Sequence, residues 1–485
     1  MKATTFLLLA ALLLGLAASL RTPEYDEAYS LFLTAGHARP AWPAGIFTAG
    51  SVRGLFAGQA GLTAIARDLK TLDVHPPLYF WVLEMWRRLA GPSWFTARAL
   101  SVAFAVVSLA LVGRIAAMTA RPVLPAMALT LLSYGFAYTG ILVRNFALAQ
   151  CLALLGVALL LSAVRRDTPD RALLGGLALG AASFTNYLTS FLGAAMLLWL
   201  LPRGRRRMLP PAGAGFALFL GPLDLPFFLA QRASRPDQLA PFSWPHAFLR
   251  LLRDAGAALF GGLPLYAGAA GPLLALLLLL LFATCLMASW HQESGPFPLL
   301  AACLPAGLLL LGLVFDNTPI EIRYLAFALP YLALWFSALP GRLLAPLLAA
   351  QGLAVIGLIA APATMQPQAT AARLAGHYPG ALALVPFGND GVGVPGPFIA
   401  AAADDQRIEI FGDRLPDFGA EQNIVLATPN ADFASRASAA MALAKLLKNP
   451  CLVETAATRA AVLFAGRCAD QHRESDNQLS AVNPR

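Results

Sequence analysis

Long runs of mainly apolar residues, separated by short connectors that carry arginine, recur along most of this chain and leave little choice of solvent. They lie near residues 4–20, 99–118, 122–140, 146–164, 172–186, 188–202, 208–230, 271–290, 296–315, 322–339 and 343–361. A helix rises about 1.5 Å per residue, so crossing a hydrocarbon core of about 30 Å takes about 20 apolar residues. Eleven such segments make the chain an all-α polytopic membrane protein. Phe248 to Leu265 stays open between an interfacial helix and an added re-entrant pair. Composition agrees: of 485 residues, 58% are hydrophobic and only 13% charged, with a mean hydropathy of +0.64, whereas soluble domains carry roughly 25% charge.

In a soluble protein the net charge of +9 would suggest nucleic acid. Here much of it sits between apolar runs, and cytoplasm-facing positive loops explain it more simply, so no nucleic-acid partner is expected. Arg114 with Arg121, Arg165 with Arg166 and Arg171, Arg203 with Arg205, Arg206 and Arg207, and Arg342 all fall on the side of Lys2. That register holds only if Pro76–Ala90 does not cross. As a helix it is about 22 Å long, opened by two prolines. Glu84, Arg87 and Arg88 share one face and apolar residues cover the rest, as in a helix lying in the membrane interface. The first apolar segment reads equally as a span or as a secretory signal, with Lys2, an apolar centre and Ala17-Ala18-Ser19. Either way, residues 21–98 and everything after about 362 land outside.

The expected organisation is therefore a membrane domain over 1–361, with 21–98 as its first outer loop, and a soluble domain over 362–485. The tail carries strand-like runs Arg407–Phe411 and Asn423–Ala427 and an Ala-rich helix near 433–447, so a small α/β-type domain is expected there. Its last dozen residues are polar and read as disordered. Cys151, Cys285 and Cys303 lie in apolar runs as fillers. Cys451 and Cys468 share the outer domain, where an oxidising compartment would allow a disulfide.

Chemistry at this outer face needs charged groups, and four places supply them. Asp26-Glu27 follows the first span, although Asp26 reads equally well as the N-cap of a helix beginning at Glu27. Asp73 and His75 open the interfacial segment. Arg144-Asn145 lies at the outer mouth between two spans, and Arg323-Tyr324 at another. Each arginine has an ordinary alternative as a side chain snorkelling to the interface. Together, carboxylates beside cations at one membrane level suggest transfer from a phosphate. No ligand-spaced cluster supports a metal, and no cofactor is implied.

These residues, in this order, resemble the GT-C membrane glycosyltransferases, in particular the branch with the protein O-mannosyltransferases and the lipid A aminoarabinose transferases. The resemblance covers residues 1 to about 340. It rests on Asp26-Glu27, Asp73-Val-His-Pro-Pro-Leu-Tyr79, Arg98-Ala-Leu-Ser, Arg144-Asn-Phe-Ala-Leu, Asn186-Tyr187 and Arg323-Tyr324. It implies a multi-pass protein of a bacterial inner membrane whose site and C-terminal domain face the periplasm. The donor it implies is a polyprenyl-phosphate-linked sugar, the acceptor a lipid, glycan or protein hydroxyl. Asp26 would then be the general base with Glu27 beside it, and Arg323, Arg144, His75 and Tyr324 would meet the donor phosphate. Asp73, Tyr79 and Arg98 would support the site. Two departures stand out: His75 precedes the prolines where the aminoarabinose branch has lysine, and Phe146 occupies a position that is tyrosine or a second acid elsewhere in the family.

Two other readings compete. A transporter or lipid flippase would carry an ionisable group within its spans, and Asp224 in Gly-Pro-Leu-Asp-Leu-Pro is the clearest candidate. A non-catalytic scaffold would bind its partner through the tail, whose Pro386-Phe-Gly-Asn-Asp-Gly-Val-Gly run reads as a turn-rich loop.

Overall fold

The computed structural model describes residues 2–466 apart from 38–39, 203, 233–240, 291, 293–294, 361–365, 415–422 and 430. The expected pairing of Cys451 with Cys468 and the disorder expected of the last dozen residues lie outside the described residues. The chain divides into two compact units, one of Met1–Leu20 with Gly61–Ala360 and one of Arg21–Ala60 with Ala361–Arg485.

The first unit is helical, and each of the eleven apolar segments coincides with a helix. Among the described residues, seven helices are long and apolar enough to cross: Ala3–Leu20, Trp94–Met118, Phe146–Arg166, Arg206–Gln231, Gly268–Trp290, Phe297–Phe315 and Gly341–Ala360. An eighth crossing would be the broken pair Val123–Leu132 and Tyr134–Ile141, bent by 69°. Pro169–Ser183, Tyr187–Leu200 and Ile322–Phe336 are shorter. The expectation of eleven spans is thus met in helices but not in length. Burial explains how Pro169–Ser183 persists: a Cβ on Gly176 would lie 2.0 Å from the Ala212 carbonyl oxygen and one on Gly215 2.4 Å from that of Leu173. The helix is pressed backbone to backbone onto Leu209–Phe219, the close approach that small residues permit in membranes. In the open stretch near 231–270 the described residues include the helix Trp244–Phe260, followed by the four-residue helix Leu263–Tyr266.

The interfacial segment is the helix Leu78–Ala90. Its polar face turns inward: Glu84 and Arg87 are buried, while Met85 and Leu89 are exposed. Glu84 Oε1 accepts from Arg88 Nε at 2.9 Å, so the buried carboxylate keeps a cation beside it. This differs from the usual interfacial helix, whose charged face meets water.

The second unit is an α/β domain around a six-stranded sheet. Its strands are β1 (Phe47–Thr48), β2 (Leu382–Pro386), β3 (Arg407–Phe411), β4 (Asn423–Ala427), β5 (Leu452–Ala457) and β6 (Ala461–Gly466), in the order β1-β3-β2-β4-β6-β5. β2 runs parallel to β3 and β4, and the outer pairings are antiparallel. Side chains alternate across it as a strand's period of two requires. Ala383 and Val385 pack with Phe398 and Ala371 on one face, and Leu382 and Leu384 with Ala442 and Leu446 of Phe433–Leu447 on the other. The tail thus folds as expected, but it is not alone. Arg21–Ala60, expected to belong to the membrane domain, supplies β1, which pairs with β3 through Phe47 and Ile408.

Candidate active site

In the membrane unit, three of the residues singled out from sequence come together. Asp73 ends the helix Leu62–Leu72 in an extended conformation, and its Oδ1 accepts from its neighbour's amide, Val74 N, at 2.6 Å. The following His75-Pro76-Pro77 cannot continue that helix, since a residue before proline avoids the helical region. His75 Nδ1 therefore turns back to Asp73 Oδ1 at 2.8 Å. Arg144 lies in the non-helical link between Tyr134–Ile141 and Phe146–Arg166 and donates from Nη2 to Asp73 Oδ2 at 3.2 Å and Oδ1 at 3.4 Å. The same nitrogen is 3.2 Å from His75 Nδ1, and the guanidinium sits 5.5 Å from the Phe80 ring centre. Side-chain exposures of 3% for Asp73 and 6% for Arg144 make this a buried ion pair. A ring nitrogen cannot donate to the carboxylate and accept from the guanidinium at once. The shorter contact assigns the Nδ1 proton to Asp73.

Gln231, which the sequence reading passed over, ties this cluster down. Its Nε2 donates to the carbonyls of His75 at 2.9 Å and Leu69 at 3.0 Å, and its Oε1 accepts from Tyr187 Oη at 2.9 Å. A polar amide at the end of a long apolar helix was the available signal. Asn145 donates to the Thr185 carbonyl at 2.7 Å and accepts from Asn186 at 3.3 Å. Tyr79 is fully buried, edge-on to Phe80. Arg98 Nη1 donates to the Ala18 carbonyl at 2.7 Å and so holds the end of the first span.

The second pair of basic-site residues sits beside this cluster through aromatic rings. Tyr324 packs on Phe146 with centroids 6.3 Å apart, and both Arg323 and Arg144 act electrostatically on its hydroxyl. Phe146, two residues beyond Arg144, also packs on Phe327 with centroids 6.0 Å apart. Arg323 pairs with Glu321 at 2.5 Å, and about a quarter of each side chain remains accessible, at 26% and 28%. Burial pushes the Glu321 carboxyl up to about 7, Arg250 pulling it down and Asp254 adding to the rise. Arg250 donates to the Ile320 carbonyl at 2.9 Å and pairs with Asp254 at 3.5 Å. Sequence reasoning gave Glu321, Arg250 and Asp254 no role.

Asp224 lies in a π-helical turn, Leu220–Asp224, inside a span and accepts from Ser183 Oγ at 2.5 Å. Among the described residues no three His, Cys, Asp or Glu side chains group as a metal would require.

Asp26 and Glu27 belong to the other unit, on the helix Tyr25–Thr34. Its N-cap is Glu24, and Glu27 reaches back to the Glu24 amide at 2.9 Å in a capping box. Arg21 forms an ion pair with Glu24. Glu27 is buried in this cap, whereas Asp26 is half-buried in the helix's first turn rather than at its cap. The two acids therefore separate: Glu27 closes the helix, and the capping role that the sequence offered Asp26 belongs to Glu24.

Comparison with known proteins fits this architecture. Residues 74–221 match the family model described as dolichyl-phosphate-mannose-protein mannosyltransferase, a segment that begins just after Asp73 and includes His75, Arg144 and Tyr187. Two solved structures are similar, both of ArnT from Cupriavidus metallidurans. The one bound to undecaprenyl phosphate has a TM-score of 0.50 and 13% identity, covering 96% of this chain and 98% of that one. The apo form has a TM-score of 0.50 and 12% identity over the same shares. No curated protein sequence matches the chain. The chain is a multi-pass membrane protein with the fold of the GT-C membrane glycosyltransferases and a small C-terminal sheet domain.

Proposed function

We propose that the protein transfers a sugar from a polyprenyl-phosphate donor to a hydroxyl group on a periplasmic or outer-leaflet acceptor, working from a bacterial inner membrane. The observation that carries this is the buried Asp73–His75–Arg144 cluster, of which His75 and Arg144 lie within the segment matching the mannosyltransferase family. The fold's likeness to a protein solved with undecaprenyl phosphate supports the lipid class of donor.

In the reaction the acceptor oxygen attacks the anomeric carbon, the bond from that carbon to the phosphate oxygen breaks, and Asp26 takes the hydroxyl proton. A carboxylate suits that role if it reaches the proton it removes. The leaving group is a lipid phosphate that gains negative charge, which positive donors in a partly dry site stabilise. Arg323 is the better placed of the two arginines by exposure, and its planar fork matches phosphate oxygens. Arg144 and His75 contribute through a cluster that already holds Asp73.

The test is complementation of a deletion strain, with mass spectrometry of envelope lipids and glycans. Asp26→Asn is expected to insert and to bind undecaprenyl phosphate as the wild type does, yet to form no glycosylated product. Full product in that strain would remove Asp26 from the role of base.

A further inference from the structure

The central strand of the second unit's sheet, β2, is flanked by β3 and β4 running the same way. From β2 the chain passes through the helix Pro395–Ala401 to β3 on one side, while β4 lies on the other. The crevice outside the carboxyl ends of β2 and β4 is thus a topological switch point, where open α/β sheets usually receive a ligand. Here a residue of the same unit fills it. Tyr25 Oη donates to Asp432 Oδ2 at 3.1 Å and also hydrogen-bonds Asp390.

Both carboxylates are themselves fixed. Asp390 Oδ1 accepts from the amides of Val392 and Gly393, each at 2.8 Å. Asp432 caps the helix Phe433–Leu447 through Ser435 N at 2.6 Å, and its Oδ2 accepts from Asn389 N at 3.0 Å. Burial pushes the Asp390 carboxyl up, and its two amide donors pull it down. The ring is seated as tightly as the hydroxyl: a Cβ on Gly393 would lie 2.4 Å from Tyr25, and one on Gly396 2.6 Å from the Cβ of Ala28 one turn on. The glycines in and after the turn-rich loop, which carry no phosphate-binding pattern, therefore have a use. They let two residues of one helix lie against backbone.

We propose that Tyr25 is a positioning residue: its phenol, held by Asp390 and Asp432 at the carboxyl edge of β2 and β4, fixes the first turn of the helix that carries Asp26. This rests on the reading of Asp26 as the base. It gives the C-terminal domain a part in catalysis, as the mount of the helix bearing the carboxylate rather than as a binding module. Small misplacements of a reacting group cost up to about a hundredfold in rate, so a hydroxyl that only aims its neighbour is worth keeping.

Two variants test it, Tyr25→Phe, which keeps the ring, and Gly393→Ala, whose Cβ displaces the ring while the hydroxyl remains. Each is expected to lower the glycosylated product about tenfold or more and to leave undecaprenyl phosphate binding within about twofold of wild type. Amide exchange is expected to quicken in residues 25–34 and to stay unchanged in 433–447. Wild-type product from either variant overturns the proposal, and so does a loss accompanied by faster exchange throughout 433–447, which marks a structural role. Wild-type product from Asp26→Asn overturns the base reading instead, and with it only the catalytic part of the proposal. Exchange in 25–34 still decides whether Tyr25 holds the helix.

Discussion

The ion pair between Asp73 and Arg144 gives the sharpest number. At an effective dielectric constant of about 20, unit charges 4 Å apart attract by about 4 kcal/mol, and these two groups lie 3.2 Å apart with almost no solvent exposure. Removing one partner strands the other's charge where it is costly to bury, a loss of about 3–5 kcal/mol. Asp73→Asn falls at the lower end, about 3 kcal/mol, because an amide oxygen can still accept from the Val74 amide. Arg144→Gln leaves the carboxylate with His75 and Val74 and costs a similar amount. In the double variant neither charge is stranded, so its cost is expected to be about 2–3 kcal/mol less than the sum. The assay is equilibrium unfolding of the purified protein in mixed micelles, comparing the wild type with the three variants. Additivity within about 0.5 kcal/mol would refute a coupled pair and leave Arg144 as a side chain that merely borders Asp73.

Glu321 predicts a pH dependence. Its carboxyl is raised by burial to about 7, so its protonated form is favoured in the folded chain; the stability it contributes is complete below the ordinary carboxylate range and is lost as pH rises through about 7. Protonation also releases Arg323 from its ion pair, so affinity for undecaprenyl phosphate is expected to rise as pH falls from about 8 to about 6, with Glu321→Gln flat over that range; a parallel slope in the variant would refute the assignment. Gly176→Ala sets a Cβ 2.0 Å from the Ala212 carbonyl oxygen, and a loss of about 1–3 kcal/mol in the same unfolding assay is expected; no loss would mean that the two helices part easily.

Local pattern carried much of this structure. The runs Arg407–Phe411 and Asn423–Ala427, read as strand-like, are β3 and β4 to the residue, and the Ala-rich stretch 433–447 is a helix. Asp73, His75 and Arg144 were singled out separately and meet. What escaped has a common physical cause, namely partners far apart in the chain. β1 is only Phe47–Thr48, too short to signal a strand, and its partner β3 lies more than 350 residues on. Nothing local to residues 21–60 could place them with the tail. Gln231 likewise becomes meaningful only when His75 and Tyr187 are beside it. The part Glu27 takes in the capping box is a local feature, carried by the Glu24…Glu27 spacing.

The two arginines assigned to the phosphate share a feature that sequence could not show: each is already paired with a carboxylate, Arg144 with Asp73 and Arg323 with Glu321. Physical chemistry gives a reason. A guanidinium does not lose its proton in proteins, so near a bilayer it cannot escape the cost of burial by becoming neutral. A chain that must keep such a group in a dry site between turnovers has to supply an anion of its own. Phosphate binding in the proposed function is then an exchange of anions, and its affinity is a difference between two pairings rather than the strength of one. That difference favours Arg323. The carboxyl of its partner Glu321 is pushed up by burial and remains a quarter exposed, whereas Asp73 is buried and held by two further donors. On the proposed function, Arg323 is therefore the arginine expected to exchange its carboxylate for the lipid phosphate, while Arg144 is expected to keep Asp73.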